Sequence, residues 1–346
     1  MIYNFIENKC ISEINIYDDS FDEYDFLSDI LKNKLLIFFN EDPGIKINYD
    51  ILYNNILYLH KTVKLKYLVM DVSYTAGEWI NYCFANDDME KLKIILSQSS
   101  DHILSSRESY DFLLKLYEYN RNLNKPAEKP MEIVGINPEI NKTLTSEYIN
   151  YLFDLYNNKK KSGIINSAYN YNKDDEYEYY KNMRNSLTSN ETAYREYFNN
   201  KLYTFKMALN NYFSDERDIN EVRAENLVNI YNKSRECYFG QLGDISFIDI
   251  MKKTSINISG KIFSMPYFYE NCSSSDENIY RHNFNIPNCD EPRVYLINNK
   301  ILKYFETYRE FIYKINKAEY ITYDKNHGDK YIILANSSAV TKFESE

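Results

Sequence analysis

Apolar positions are densest and most regularly spaced between Lys34 and Asn86. Residues 35–39 form an unbroken apolar run, stopped by Asn40, Asp42, Pro43 and Gly44. That is the pattern of a short strand buried on both faces and ended by a tight turn. Leu52, Ile56, Leu59 and Val63 then recur at helical spacing across residues 50–63, and residues 67–70 are a second short apolar run. Strand, helix and strand in that order make a βαβ unit, whose crossover forces the two strands to be parallel. Ligands of such sheets bind beyond the carboxyl ends of the strands. The residues there are Asn40-Glu41-Asp42-Pro43-Gly44 and Asp71-Val72-Ser73. Both stretches carry carboxylates, so Glu41 and Asp71 are the first candidates for chemistry.

The pattern continues on either side of this unit. A helix is expected at 21–32, with Asp19 or Ser20 as its cap. Helices follow at 75–84, at a short stretch ending near Leu96, and at 107–122 behind Ser105 or Ser106. Residues 131–136 read as a third strand, stopped by Asn137 and Pro138. Residues 143–235 differ: they hold one glycine, no proline and long polar segments with helical spacing. Helices are expected at 146–157, 175–184, 191–213 and 218–233, with a loop at 158–174. A fourth strand is expected at 236–242, then a short helix at 247–253 behind Asp244 and Ser246. Further strands are expected at 256–268, 293–297 and 331–335, with a polar loop at 270–291. Strands resume after the helical block, so it reads as a lobe inserted into the sheet domain, the alternative being a separate helical domain. The expected fold class is therefore α/β: a mostly parallel central sheet flanked by helices, with an inserted helical lobe. Its parts are 1–142, 143–235 and 236–346. Glu41, Asp71, Asn137 and Asp244 each follow a strand and are expected at one sheet edge, covered by the lobe.

Composition narrows the function. A net charge of −10 argues against nucleic acid and against an anionic membrane surface as partner. No window of 18 apolar residues occurs, and the first ten residues lack the basic and apolar regions of a secretory signal. The five cysteines, Cys10, Cys83, Cys237, Cys272 and Cys289, are odd in number and form no CxxC, which suits a reduced cytoplasmic protein. No clustered Cys or His suggests a metal, and the phosphate-cradling motifs GxGxxG and GxxxxGK[ST] are absent, so no cofactor is expected. Tyrosine is abundant, at 36 residues, in every kind of segment, which reads as compositional bias. Of the four histidines, His60 lies in a core-facing helical register, while His102 and His327 fall in turns. Only His282 sits in a loop that could fold back over the strand ends.

Several stretches, in order, resemble the erythromycin esterase-like family, especially its divergent bacterial members. Asn40-Glu41-Asp42-Pro43-Gly44 resembles the family's Gly-Glu-x-His-Gly turn. Asp71-Val72-Ser73-Tyr74 with Glu78-Trp79-Ile80-Asn81 resembles its second strand end and following helix. Ser106-Arg107-Glu108, Tyr119-Asn120, Gly135-Ile136-Asn137 and Arg217-Asp218 with Asn226 continue the series, and Gly240-Gln241-Leu242-Gly243-Asp244-Ile245-Ser246 resembles the strand end leading to a second histidine. The resemblance covers roughly residues 30–340. It implies ester hydrolysis without an obligatory metal, by a histidine and carboxylate that activate water. Yet Pro43 and Ser246 stand where the histidines belong, and Asn137 replaces an acid. Proline and neutral serine cannot serve as a base near pH 7, and a general base contributes about a hundred- to ten-thousandfold in rate. The expectation is a degenerate hydrolase site that binds a small molecule or a protein partner. Glu41 and Asp71 are its acids, and Asn137, Arg217, Gln241, Asp244 and Ser246 its ligand-binding groups, with Arg107 a further candidate. The alternative is a hydrolase in which Glu41 and Asp71 work as a carboxylate pair, one of them raised in pKa.

Overall fold

The computed structural model describes residues 11–15, 21, 24, 27–28, 31–97, 106–123, 128–156, 163–171, 174–215, 217–273, 279–281, 292–298 and 330–335. Its strands are β1 (Ile11–Ile14), β2 (Leu36–Asn40), β3 (Tyr67–Ser73), β4 (Glu132–Asn137), β5 (Tyr238–Leu242), β6 (Ile262–Ser273), β7 (Ile279–Arg281), β8 (Arg293–Asn298) and β9 (Lys330–Ala335). They lie in the order β1-β8-β9-β6-β2-β5-β3-β4, with β7 paired to β6 off this path. The five strands from β6 to β4 are all parallel, and β9 joins β6 in parallel too. Antiparallel pairing is confined to β1–β8, β8–β9 and β6–β7. The mostly parallel α/β class read from the sequence is the fold.

By its contacts the chain forms two compact units. The first comprises Met1–Asp71, Ser99–Ile133 and Val228–Glu346, and the second Val72–Gln98 and Val134–Leu227.

In the first unit β2 is the core. Leu36, Ile37, Phe38 and Phe39 have no exposed surface, as a strand with neighbours on both edges and both faces requires. Phe39 packs edge-on against Phe239 and Tyr267 at centroid distances of 5.3 and 5.4 Å, and Phe38 against Phe247 at 5.5 Å. Each buried phenylalanine contributes about 1.5–3 kcal/mol through the area it removes from water. Helix α1 (Ile47–Val63) follows and ends where Lys64 takes a left-handed conformation, φ 59°, without a glycine. Its His60 is buried between the Tyr119 hydroxyl and the Lys129 carbonyl, at 2.8 and 3.1 Å, and is structural, as its register suggested.

The second unit carries helices α2 (Tyr74–Asn86), α3 (Met89–Ser97), α5 (Lys142–Asp154), α6 (Gly163–Tyr169), α7 (Glu176–Ser189), α8 (Glu191–Phe198) and α9 (Leu202–Asn211), while α4 (Arg107–Asn122) belongs to the first. Among the described residues of 143–235 there is no strand. Phe153, Phe198 and Phe205 pack together at its centre. Where β3 runs into α2 its backbone touches that of β4: a Cβ on Gly135 would lie 1.9 Å from the Ser73 carbonyl oxygen, so only glycine fits.

Four local expectations need correction. The helix expected at 191–213 is broken after Phe198, because Asn199 turns to φ 48° and a 3-10 turn, Asn199–Lys201, separates α8 from α9. The loop expected at 158–174 contains α6. The strand expected at 256–268 begins only at Ile262. Ile256–Ser259 is a helical turn held by Ser255 N–H to Met251 O and Lys261 N–H to Ile258 O. The polar loop expected at 270–291 opens as the β6–β7 hairpin, whose polar side chains hide its strand pattern. The helix expected at 21–32 lies largely outside the described residues, as do Cys10, Cys289, His102, His282 and His327 wholly.

Candidate functional site

Strand register decides which residues gather. Asn40 pairs with Leu242 of β5 on one edge and with Pro266 of β6 on the other. On the far side of β5, Val69 pairs with Gly240, and continuing that register sets Asp71 level with Leu242. The end of β5 is thus flanked by Glu41 from one neighbour and Asp71 from the other. Both flanks are tied down. Glu41 N–H donates to the Leu242 carbonyl at 3.0 Å, and Gly243 N–H donates to Asp71 Oδ2 at 3.3 Å. The turn after Glu41 is tight: Gly44 holds φ 79°, and the Pro43 ring abuts Gly243. Position 43 is therefore filled by a packed, proton-inert ring.

Glu41 heads a chain of hydrogen bonds. Gln241 Nε2 donates to Glu41 Oε2 at 2.5 Å and to the Asn48 carbonyl at 2.8 Å. Gln241 Oε1 accepts from the Tyr267 hydroxyl at 3.2 Å, which in turn accepts from Asn55 Nδ2 at 2.5 Å. Gln241, Asn48, Asn55 and Tyr267 are all buried, so the amide of Gln241 is satisfied at both ends in one orientation only. Glu41's carboxyl is pushed up to about 8. Burial is the main cause. The Gln241 hydrogen bond opposes the rise, and the negative charges of Asp71 and Asp42 add to it. At neutral pH the acid form of Glu41 dominates.

The remaining candidates are placed as follows. Asp244 Oδ1 accepts from Ser246 N–H at 2.8 Å, closing the turn into α11 (Phe247–Thr254). Ser246 is exposed and its side chain makes no capping hydrogen bond. Asn137, in the second unit, accepts from Arg223 Nε at 2.8 Å. Arg217 forms an exposed pair with Glu225 at 2.6 Å, and Arg107 sits exposed beside Asp111 at 3.8 Å. The buried arginine is Arg223 rather than Arg217, and Asn226 beside it binds the Ile136 carbonyl at 3.0 Å. Sequence reasoning missed Arg223, Asn48, Asn55 and Tyr267. Tyr267 was the most accessible of these, since it directly follows the β6 residue level with Asn40.

The fold and this edge define an α/β protein with carboxylates at the carboxyl end of a parallel sheet. No family model and no curated protein matches the chain. Solved structures share its fold. A protein from Bacillus cereus is 12% identical with a TM-score of 0.63, and a succinoglycan biosynthesis protein is 10% identical with a TM-score of 0.61; each match covers 99% of this chain and 98% of the other. A mutant of the erythromycin esterase EreC in its open conformation is 9% identical over 94% of this chain and 95% of that one, at a TM-score of 0.46, too low to argue from.

Proposed function

We propose that the chain is a divergent esterase-like protein that binds a small polar molecule at the sheet edge formed by Glu41, Asp71 and the end of β5. The observation that supports it best is the anchoring of two acids on either side of one strand end. Glu41 is held by Gln241 and Asp71 by the Gly243 amide. A protonated Glu41 beside Asp71 offers a ligand one hydrogen-bond donor and several acceptors, the chemistry that reads hydroxyl groups. Pro43 and Ser246, at the family-like histidine positions, supply no base. Gln241 and Asp244 serve in this reading as polar groups around the ligand. The buried free thiols of Cys83 and Cys237 fit a cytoplasmic setting.

The test is a thermal-shift screen of the purified chain against small polyols, sugars and esters, repeated with Glu41→Gln and Asp71→Asn. A ligand that stabilises the native protein and neither variant supports the proposal. Ligands that stabilise all three equally overturn it. A second reading has its own support. A carboxyl titrating near 8 is suited to general acid–base work, so Glu41 with Asp71 could hydrolyse an ester as a carboxylate pair. An ester and lactone hydrolysis screen, with Glu41→Gln as control, separates the two readings. Turnover lost in the variant favours the pair, and turnover unchanged by it belongs elsewhere.

A further inference from the structure

The second unit holds another acid in an unusual setting. Glu78 lies one turn along α2 from Tyr74, so both side chains leave the same face of that helix. The Tyr148 hydroxyl, from α5, donates to Glu78 Oε2 at 2.7 Å. The buried Tyr74 phenol lies near Glu78 and Thr204 of α9, both of which bear on its titration. Tyr203, beside Thr204, and Tyr151, one turn on from Tyr148, are close enough to feel the Glu78 charge. Three helices thus bring four tyrosines around one carboxylate. Burial first, and then Glu78, push the phenols of Tyr74 and Tyr148 above the usual range, so both stay protonated.

No lysine or arginine among the described residues pairs with Glu78. Tyr74 and Tyr148 are buried, but Glu78, Tyr151 and Tyr203 keep part of their surface in solvent, so the cluster has an open side. The same aromatic seam already takes an ammonium group nearby. Lys91 Nζ sits 3.4 Å from the centroid of the Trp79 ring, and Trp79 packs edge-on against Tyr148 at 5.2 Å.

We propose that Glu78 and the tyrosines around it, Tyr74, Tyr148, Tyr151 and Tyr203, form a binding site for a small organic ammonium ion. A carboxylate supplies the counter-charge, and phenol rings attract a cation through their negative faces while tolerating its alkyl groups. The Tyr148 hydroxyl holds the carboxylate in place before the ligand arrives, which lowers the ordering cost of binding. This site is independent of the reading given for Glu41 and Asp71, and neither depends on the other.

Trp79 is the only tryptophan in the chain, so its emission reports on Tyr148 and the cluster directly. The full-length protein is titrated with tetramethylammonium and with methylammonium, and with neopentyl alcohol as a neutral analogue of similar size. Saturable change in Trp79 emission with either cation and none with the alcohol is the expected result. Glu78→Gln should weaken the cation response about tenfold or more, and Tyr148→Phe by less. Circular dichroism confirms the fold of each variant. If Glu78→Gln fails to fold, Glu78→Asp, which keeps the charge on a shorter arm, should still bind, more weakly than native. No response to either cation, an equal response to the alcohol, or native affinity in Glu78→Gln overturns the assignment.

Discussion

The sharpest quantitative consequence concerns Glu41 and pH. Its carboxyl titrates near 8 in the folded chain, against an ordinary value of 4.5. A group whose folded pKa is raised favours folding in its protonated form. That contribution is complete below about pH 4.5 and is lost as pH rises through 8. The difference of 8 − 4.5 = 3.5 pH units corresponds to about 5 kcal/mol at most, at about 1.4 kcal/mol per unit. Between pH 5 and 8 the native protein should therefore lose stability at up to about 1.4 kcal/mol per pH unit from this residue alone. Glu41→Gln removes the titration while keeping an oxygen that accepts from Gln241. The assay is urea unfolding at half-unit steps from pH 5 to 8.5, comparing midpoints of the two proteins. The difference between them should change steeply with pH in favour of the variant and flatten above 8. Parallel curves would show that Glu41 titrates at its ordinary pKa, and the desolvated site at the end of β5 would have to be abandoned.

Other consequences are local. Gly135→Ala puts a methyl into the Ser73 carbonyl and should destabilise the second unit by about 3 kcal/mol or more, read by thermal unfolding. Asn120 bonds both N–H and C=O of Met131, at 2.9 and 2.8 Å, so Asn120→Leu strands two buried backbone groups and should cost roughly 2–4 kcal/mol in urea unfolding. The native protein should show negligible hydrolysis of macrolide lactones, since no histidine stands at positions 43 or 246. The double change Pro43→His with Ser246→His should raise hydrolysis of p-nitrophenyl acetate about a hundredfold or more. No gain would mean that the turn and the α11 start are not placed as the family resemblance implies.

Much of the fold was legible because its strongest signals are short and local. The run from Leu36 to Phe39, bounded by turn residues, and the helical spacing before Tyr67 fix a parallel βαβ unit with little competition from other readings. From there the parallel sheet and its acidic carboxyl edge follow by topology alone. What stayed hidden depends on the third dimension. Whether Arg217, just ahead of α10 (Ile219–Ser234), or Arg223 within it is buried turns on how that helix lies, and both stand among polar residues in the sequence. The helix break at Asn199 carries no proline or glycine, only an asparagine tolerating positive φ. Gln241 and Tyr267 meet because β5 and β6 both flank β2, a pairing between residues 26 positions apart that no periodicity encodes.

The tyrosine excess, read as compositional bias, has a physical outcome whatever its origin. A phenylalanine in a core needs only space, whereas a buried tyrosine also needs a partner for its hydroxyl. For several buried tyrosines here the partners are found in backbone and side chains alike. Tyr197 reaches the Tyr156 carbonyl at 3.2 Å, Tyr238 the Ile230 carbonyl at 3.3 Å, Tyr194 the Ser186 hydroxyl at 3.1 Å and Tyr148 the Glu78 carboxylate. Each such bond contributes only about 0.5–1.5 kcal/mol net, but an unmade one costs more, so packing alternatives that strand a hydroxyl are penalised. Tyrosines in the core therefore narrow the packing choices open to these helices more than phenylalanines would. They also bring polar atoms to places that an aliphatic core would leave inert. Tyr267 holds Gln241, which holds Glu41, and Tyr148 holds Glu78. Replacing Tyr267 by Phe should accordingly leave Gln241 Oε1 and Asn55 Nδ2 without their partner, loosen the hold on Glu41 and shift its titration. A pH profile of stability indistinguishable from native in Tyr267→Phe would show that the relay does not reach the carboxyl.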